Sequence, residues 1–313
     1  MTKLTRLSIF CLLPATLLTT ACGGSDDDRT EGTTAVRNAN RNDASREPAL
    51  ARLEFPRVKG GSSIVIIHAN NDQHGINFST EWDSDIKAQR WSCYQMYSTN
   101  SGGNNSRVVD GYLFDEDLPQ HAVNYVTNAA GENYDPFWSS GYDHGHICPN
   151  ADRKYSREAN RQTFFLTNMQ PQVNNLNAGI WQSMENQVRA WTPTTARDTL
   201  YVAKGGTIDA PENIIEYISN REKSTTPQQG FIPVPRYFFM ALLRTTATGY
   251  KALAFWVEHR NENHKTDPLG NYVISIRELE HRTGIDFFCN LPDNIEEEVE
   301  TMSADNIKWL WNL

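Results

Sequence analysis

"SSGYDHGHICPNADR", Ser139 to Arg153, sets two histidines either side of one glycine, His144 and His146, directly after Asp143. An imidazole accepts protons near neutral pH and is a common metal ligand, so the pair reads as a shared metal site, as a base with a neighbour, or as a polar turn. The stretch alone does not choose among these, and the pattern downstream bears on the choice. In "NAGIWQSMENQVRAW", Asn177 to Trp191, the residues Trp181, Met184 and Val188 recur at helical spacing. On the same helix Asn177, Trp181, Glu185 and Arg189 stand four apart and form a slowly winding stripe. An amide, a carboxylate and a guanidinium on one stripe make a candidate site. The plain alternative is a solvated face with a Glu185–Arg189 pair worth roughly 0.2–0.5 kcal/mol. Trp181 belongs to the apolar series and reads as core packing.

Outward from this centre, strand-like runs rich in β-branched and aromatic residues occur at Ile64 to Ile67, "RWSCYQMY", "TFFLT", "TLYVA", "RYFFMALL", "ALAFWV" and "YVISI". A second helix is expected in "IRELEHR", stopping at Gly284. Strands and helices do not alternate regularly, which predicts an α+β fold with antiparallel sheet rather than a doubly wound parallel one.

The N-terminus carries Lys3 and Arg6 ahead of an apolar run, Leu7 to Leu18, too short to span a bilayer, and reads as an export signal over residues 1–21. "LLTTAC" ends in Cys22, a lipoprotein-type cleavage site that predicts an acyl anchor on that cysteine. The next residues, 22–52, are polar and aperiodic and are expected to form a tether, with one globular domain over 53–313. The acidic "SDDD" after Cys22 resembles lipoprotein surface-export signals and predicts an outer-membrane or cell-surface protein of a Gram-negative bacterium. Cys93, Cys148 and Cys289 remain for the folded part, with one disulfide and one thiol as the possible arrangement in an oxidising compartment. A formal charge of −9 argues against a broad basic surface but allows a local basic site. Part of that charge lies in "DNIEEEVETMSAD", read as a solvated helix face.

The motifs together resemble the DNA/RNA non-specific endonucleases, which include Serratia-type nuclease and mitochondrial endonuclease G. The family's Asp-Arg-Gly-His is matched by "DHGH", Asp143 to His146, and its Asn-x-Gly-x-Trp with a following glutamate lies in "FFLTNMQPQVNNLNAGIWQSMENQVR", Phe164 to Arg189. The similarity extends from about Gln89 to Ile295, through "RELEHRTGIDFFCNLPDNI". It implies a ββα-metal core, DNA and RNA as substrates, and products with 5′-phosphate ends. It further implies His146 as general base and Asn177 as direct ligand of Mg2+, with Mn2+ as a possible substitute. Glu185 would hold the ion through water, Arg189 and Arg107 would face the phosphate, and Asn168 would stand one shell behind. A neutral imidazole can take a proton from water, and Mg2+ keeps most of its own waters, so one amide and one nearby carboxylate suit it.

The family's arginine is His144 here, which exchanges a fixed planar fork for a partly charged ring and bears on phosphate affinity more than on the chemical step. Zinc held by both histidines, as in a zinc-dependent phosphoesterase, is the competing assignment. It needs further ligands, for which "VEHRNENHK" offers Glu258, His259 and His264. A non-catalytic nucleic-acid-binding lipoprotein is the other alternative. His68, His74, His121 and His281 stand outside any motif and are expected at the surface or in structural hydrogen bonds, and Cys148 is expected to be buried or disulfide-bonded.

Overall fold

A computed structural model describes residues 37–107, 111–118 and 134–313. His121 lies outside them. Their centre is an antiparallel sheet of seven strands, in spatial order β1 (Ser63–Ala69), β2 (Ile76–Asp83), β3 (Ala88–Met96), β6 (Leu200–Gly206), β10 (Tyr237–Thr246), β11 (Gly249–Glu258) and β12 (Val273–Ile274). β10 and β11 are near-continuous apolar runs because both faces of the sheet are covered. Along β10, Phe238, Met240 and Leu242 join one core while Phe239, Ala241 and Leu243 join the other. Each of the Phe, Met and Leu side chains contributes about 1.5–3 kcal/mol relative to exposure.

On the first face lie α2 (Gln182–Ala190), through Met184 and Val188, and α5 (Ala304–Trp311), through Ile307 and Trp311. On the second lie α3 (Ile276–Thr283), through Ile276 and Leu279, and α4 (Asp293–Glu300), through Val299. α3 starts where the Ser275 hydroxyl accepts from the Glu278 amide and stops at Gly284, whose φ of 67° is left-handed. A two-stranded pair, β4 (Asp143–His146) with β5 (Met169–Gln172), feeds into α2 and forms a ββα unit. The remaining helix is α1 (Arg157–Gln162), and a small sheet holds β7 (Ile214–Ser219), β8 (Glu222–Ser224) and β9 (Ile232–Pro235). The expected α+β class with antiparallel sheet is what the chain forms.

Several local expectations change. "TFFLT" is not a strand: Leu166–Asn168 is a short 3-10 turn, and Phe165 makes only a single bridge to Leu113. "YVISI" yields two strand residues, because Ser275 already caps α3. The helix expected from Asn177 is interrupted by a wide π-turn over Leu176–Trp181 with non-helical Gly179, so Asn177 is offset from the face of α2. The acidic C-terminal helix is only partly solvated, since Glu296 and Glu300 are buried. Within the span 22–52 expected as a tether, the described residues from Arg37 onward make contacts with the fold instead: Asn38 bonds the Leu291 carbonyl, Arg37 pairs with Asp293, and Asn42 is buried. Cys93, Cys148 and Cys289 are all buried free thiols, so no disulfide joins them. His68 is buried against Asp115, and His74 contacts the Tyr97 hydroxyl.

Candidate active site

β4, the turn before α2 and α2 itself enclose a cleft of about 400 Å³ that gathers Arg107, His144, His146, Asn177, Glu185 and Arg189. Residues separated widely in sequence are thus brought together, and they include every predicted site residue except Asn168.

His146 ends β4, opposite Met169 of β5. Its partner position is tight: a Cβ on Gly145 would stand 2.5 Å from the Gln172 side chain, so glycine is required for the strands to close. The His146 ring is partly open to the cleft and edges onto Phe164 at 5.0 Å. Its Nε2 is covered and has no hydrogen-bond partner among the described residues, while the ring bonds the backbone of His144. That bond therefore belongs to Nδ1, which donates, leaving Nε2 with the lone pair. Burial pushes the His146 pKa down to about 3, and the positive charges of Arg107, His144 and Lys204 add to that, against the backbone bond.

His144 is held differently. Its ring lies flat on Tyr112, with centroids 3.5 Å apart, and its other face stacks on Phe137 at 4.5 Å. Its Nε2 is 2.8 Å from Asp135 Oδ2. Both faces and one nitrogen are engaged, so the two histidines are unequal in structure.

Asn177 donates through Nδ2 to Asp143 Oδ2 at 3.1 Å, and Asn174 donates to the same oxygen at 2.9 Å. With its nitrogen committed, Asn177 presents Oδ1 as the free acceptor, the donor type a hard cation takes. Glu185 does not pair with Arg189. Its Oε1 lies 2.9 Å from Nζ of the buried Lys204, whereas Arg189 reaches Asp152 at 2.7 Å, and Asp152 also accepts from the Tyr94 hydroxyl. Burial raises the Glu185 pKa, with Lys204 opposing the shift. Arg107 stacks over Phe164 at 4.8 Å. Asn168 is buried behind the cleft, where its amide bonds the Cys148 backbone on both sides and the Thr163 carbonyl. It thereby fixes the chain just after His146.

Among the described residues the zinc assignment finds no ligand set. His259 spends Nδ1 on the Pro235 carbonyl and Nε2 on the Val173 amide, Glu258 pairs with Arg260, and His264 with Asp267 and Glu262. Among the described residues, the groups of three His, Cys, Asp or Glu near enough to share an ion are His68–Asp115–Asp117 and Glu280–Asp286–Glu300, and neither includes His144 or His146.

Lys204, Asp143, Asp135 and Asp152 were not singled out as site residues from sequence. Lys204 carried a usable signal, for it stands two residues after Val202 on the strand face that α2 covers, where a charge is out of place.

The sequence profile of the DNA/RNA non-specific endonucleases matches residues 64–294. The chain belongs to this family. A nuclease of Nostoc sp. (strain PCC 7120) is 27% identical over 236 residues, covering 73% of this chain and 77% of the relative. Mitochondrial endonuclease G of Bos taurus is 27% identical over 210 residues, 67% of this chain and 66% of that protein. A nuclease of Syncephalastrum racemosum is 31% identical over 206 residues, 62% and 59% of the two chains. The crystal structure of an EndoG/EndoGI complex contains a chain with the same fold, at a TM-score of 0.55 and 17% identity, over 74% of this chain and 89% of that one. The chain is accordingly a non-specific nuclease by family.

Proposed function

We propose that the protein is an exported, lipid-anchored, Mg2+-dependent endonuclease that hydrolyses DNA and RNA phosphodiesters and leaves 5′-phosphate ends. The observation that carries the reading is His146, a neutral imidazole whose Nδ1 is committed to the backbone and whose Nε2, unpartnered among the described residues, belongs to a cleft that also holds Arg107 and Arg189. In that form it is ready to take a proton from water. An entering phosphodiester anion offsets the positive charges that depress its proton affinity, so substrate binding strengthens the base when it is needed.

Arg107 and Arg189 supply charge toward the phosphate, and the donor set of Asn177 Oδ1 with the Glu185 carboxylate fits a magnesium ion better than zinc. Such an ion supplies stabilisation of the negative charge that gathers on the phosphoryl and leaving oxygens. Asn177 would hold it directly and Glu185 through water. The anchor on Cys22 is supported by "LLTTAC".

The test incubates the protein with plasmid DNA and structured RNA, with and without Mg2+. Degradation that needs the ion and vanishes in His146→Ala supports the reading. Tight binding with no cleavage under any condition overturns it in favour of a binding protein.

A further inference from the structure

Lys204 is a lysine in the middle of a central strand. It pairs with Ser92 of β3 on one side and Met240 of β10 on the other, and its side chain is fully buried. A buried ammonium is costly unless paired, and here the partners are specific. Nζ lies 2.9 Å from Glu185 Oε1 and 5.0 Å above the Trp181 ring. The usual helical partner of Glu185, Arg189, is turned away to Asp152. Glu185 is nearly enclosed and rests on a flexible side chain, so what fixes its direction is the sheet beneath it rather than the helix that carries it.

We infer that Lys204 is a positioning residue of the nuclease site: its ammonium anchors Oε1 of Glu185 and so leaves Oε2 as the oxygen that serves the cleft. This rests on the nuclease reading above, in which Glu185 holds water. Lys204 itself reaches neither substrate nor reacting atoms. Because it stands on a rigid seven-stranded sheet, it transmits the position of the sheet to a carboxylate on α2. A lysine retained in a packed core for stability alone would be replaceable by an apolar chain of similar volume; one retained for position would not.

A double-mutant cycle on the full chain separates the two roles. Lys204→Met, Glu185→Gln and the double variant are assayed on plasmid DNA at saturating Mg2+, with kcat, KM and melting temperature measured for each. Lys204→Met is expected to lower kcat by about tenfold or more with KM within about twofold, and to lower it no further in the Glu185→Gln background. An equal fall in both backgrounds, or no fall in either, overturns the inference. If Lys204→Met melts below the assay temperature, Lys204→Gln is carried through the same cycle with the same expectations. A wild-type protein that cleaves nothing overturns the nuclease reading and this inference with it, whereas an active wild type with additive losses overturns the role of Lys204 alone.

Discussion

Asn177 and Asp143 are joined across the cleft by a 3.1 Å hydrogen bond from the amide nitrogen to Oδ2, which ties the turn before α2 to the first residue of β4. The bond decides which end of the amide would face the proposed cation. Asp143→Ala frees that amide to rotate and removes the acceptor that Asn174 also uses. Loss of such a supporting contact typically costs about 10–100-fold in metal affinity. The expected result is a rise of that size in the Mg2+ concentration that half-activates hydrolysis, with little change in melting temperature because Asp143 is not buried. An unchanged Mg2+ requirement would show that Asp143 does not orient Asn177.

Gly145→Ala should harm the protein at a residue with no functional group. The added methyl meets Gln172 at 2.5 Å, and Gln172 is buried and has nowhere to swing. Overpacking of this kind costs about 1–3 kcal/mol, and the strain falls on the residue beside His146. Lower melting temperature and lower kcat are expected together. Gln172→Ala introduced into the Gly145→Ala background should restore both. Persistence of the defect in that double variant would place its cause elsewhere than in the strand contact.

The large sheet was legible because β10 and β11 announce themselves as apolar runs, and α3 because Ser275 and Gly284 punctuate it. "TFFLT" was not: the same aromatic residues fill a core from a turn as readily as from a strand, and only tertiary packing decides. In the site, the ordered motifs brought out His146, Asn177 and Glu185. Their electrostatic partners stayed hidden. Lys204 meets Glu185 only through the register of β6 within the sheet, and Asp135 meets His144 only because the irregular segment that carries Asp135 and Phe137 packs against the His144 ring. Periodicity describes one element at a time and carries no information about such meetings. The stripe on α2 shows the same limit, since a pairing allowed at helical spacing, Glu185 with Arg189, gave way to two partners from outside the helix.

His259 links acid stability to the site. Its Nε2 accepts from the Val173 amide just before the turn that carries Asn177, so the ring must stay neutral. Burial lowers its pKa to about 4 against an ordinary 6.5. The unfolded chain therefore takes up a proton first as pH falls, and the folded state loses stability from pH 6.5 down through about 4. His146, lowered to about 3, acts in the same direction. The contribution of each is about 1.4 kcal/mol per pH unit within its window. Chemical denaturation at several pH values should give a slope that falls by about that amount in His259→Gln, which keeps an acceptor and removes the titrating ring. An unaltered slope would mean that His259 is not held neutral by the fold.

His144→Arg tests what the departure from the family's arginine costs. The imidazole is clamped between Tyr112 and Phe137 and gives Nε2 to Asp135, so it has at most one further nitrogen for a phosphate oxygen. A guanidinium has five donors, is always charged, and can bond Asp135 with one edge while facing the substrate with another. The variant is expected to bind DNA more tightly, seen as a lower KM, with kcat within about threefold because His146 and Asn177 are untouched. One added phosphate contact steepens the dependence of log affinity on log salt by up to about 0.9 for duplex DNA. Binding measured across a salt series with the His146→Ala variant as background isolates that slope from turnover. If His144→Arg leaves both slope and KM at wild-type values, Asp135 has captured the whole guanidinium. Asp135→Asn added to it should then release the charge to the phosphate, and a slope still unchanged in that double variant would remove residue 144 from the substrate contact altogether.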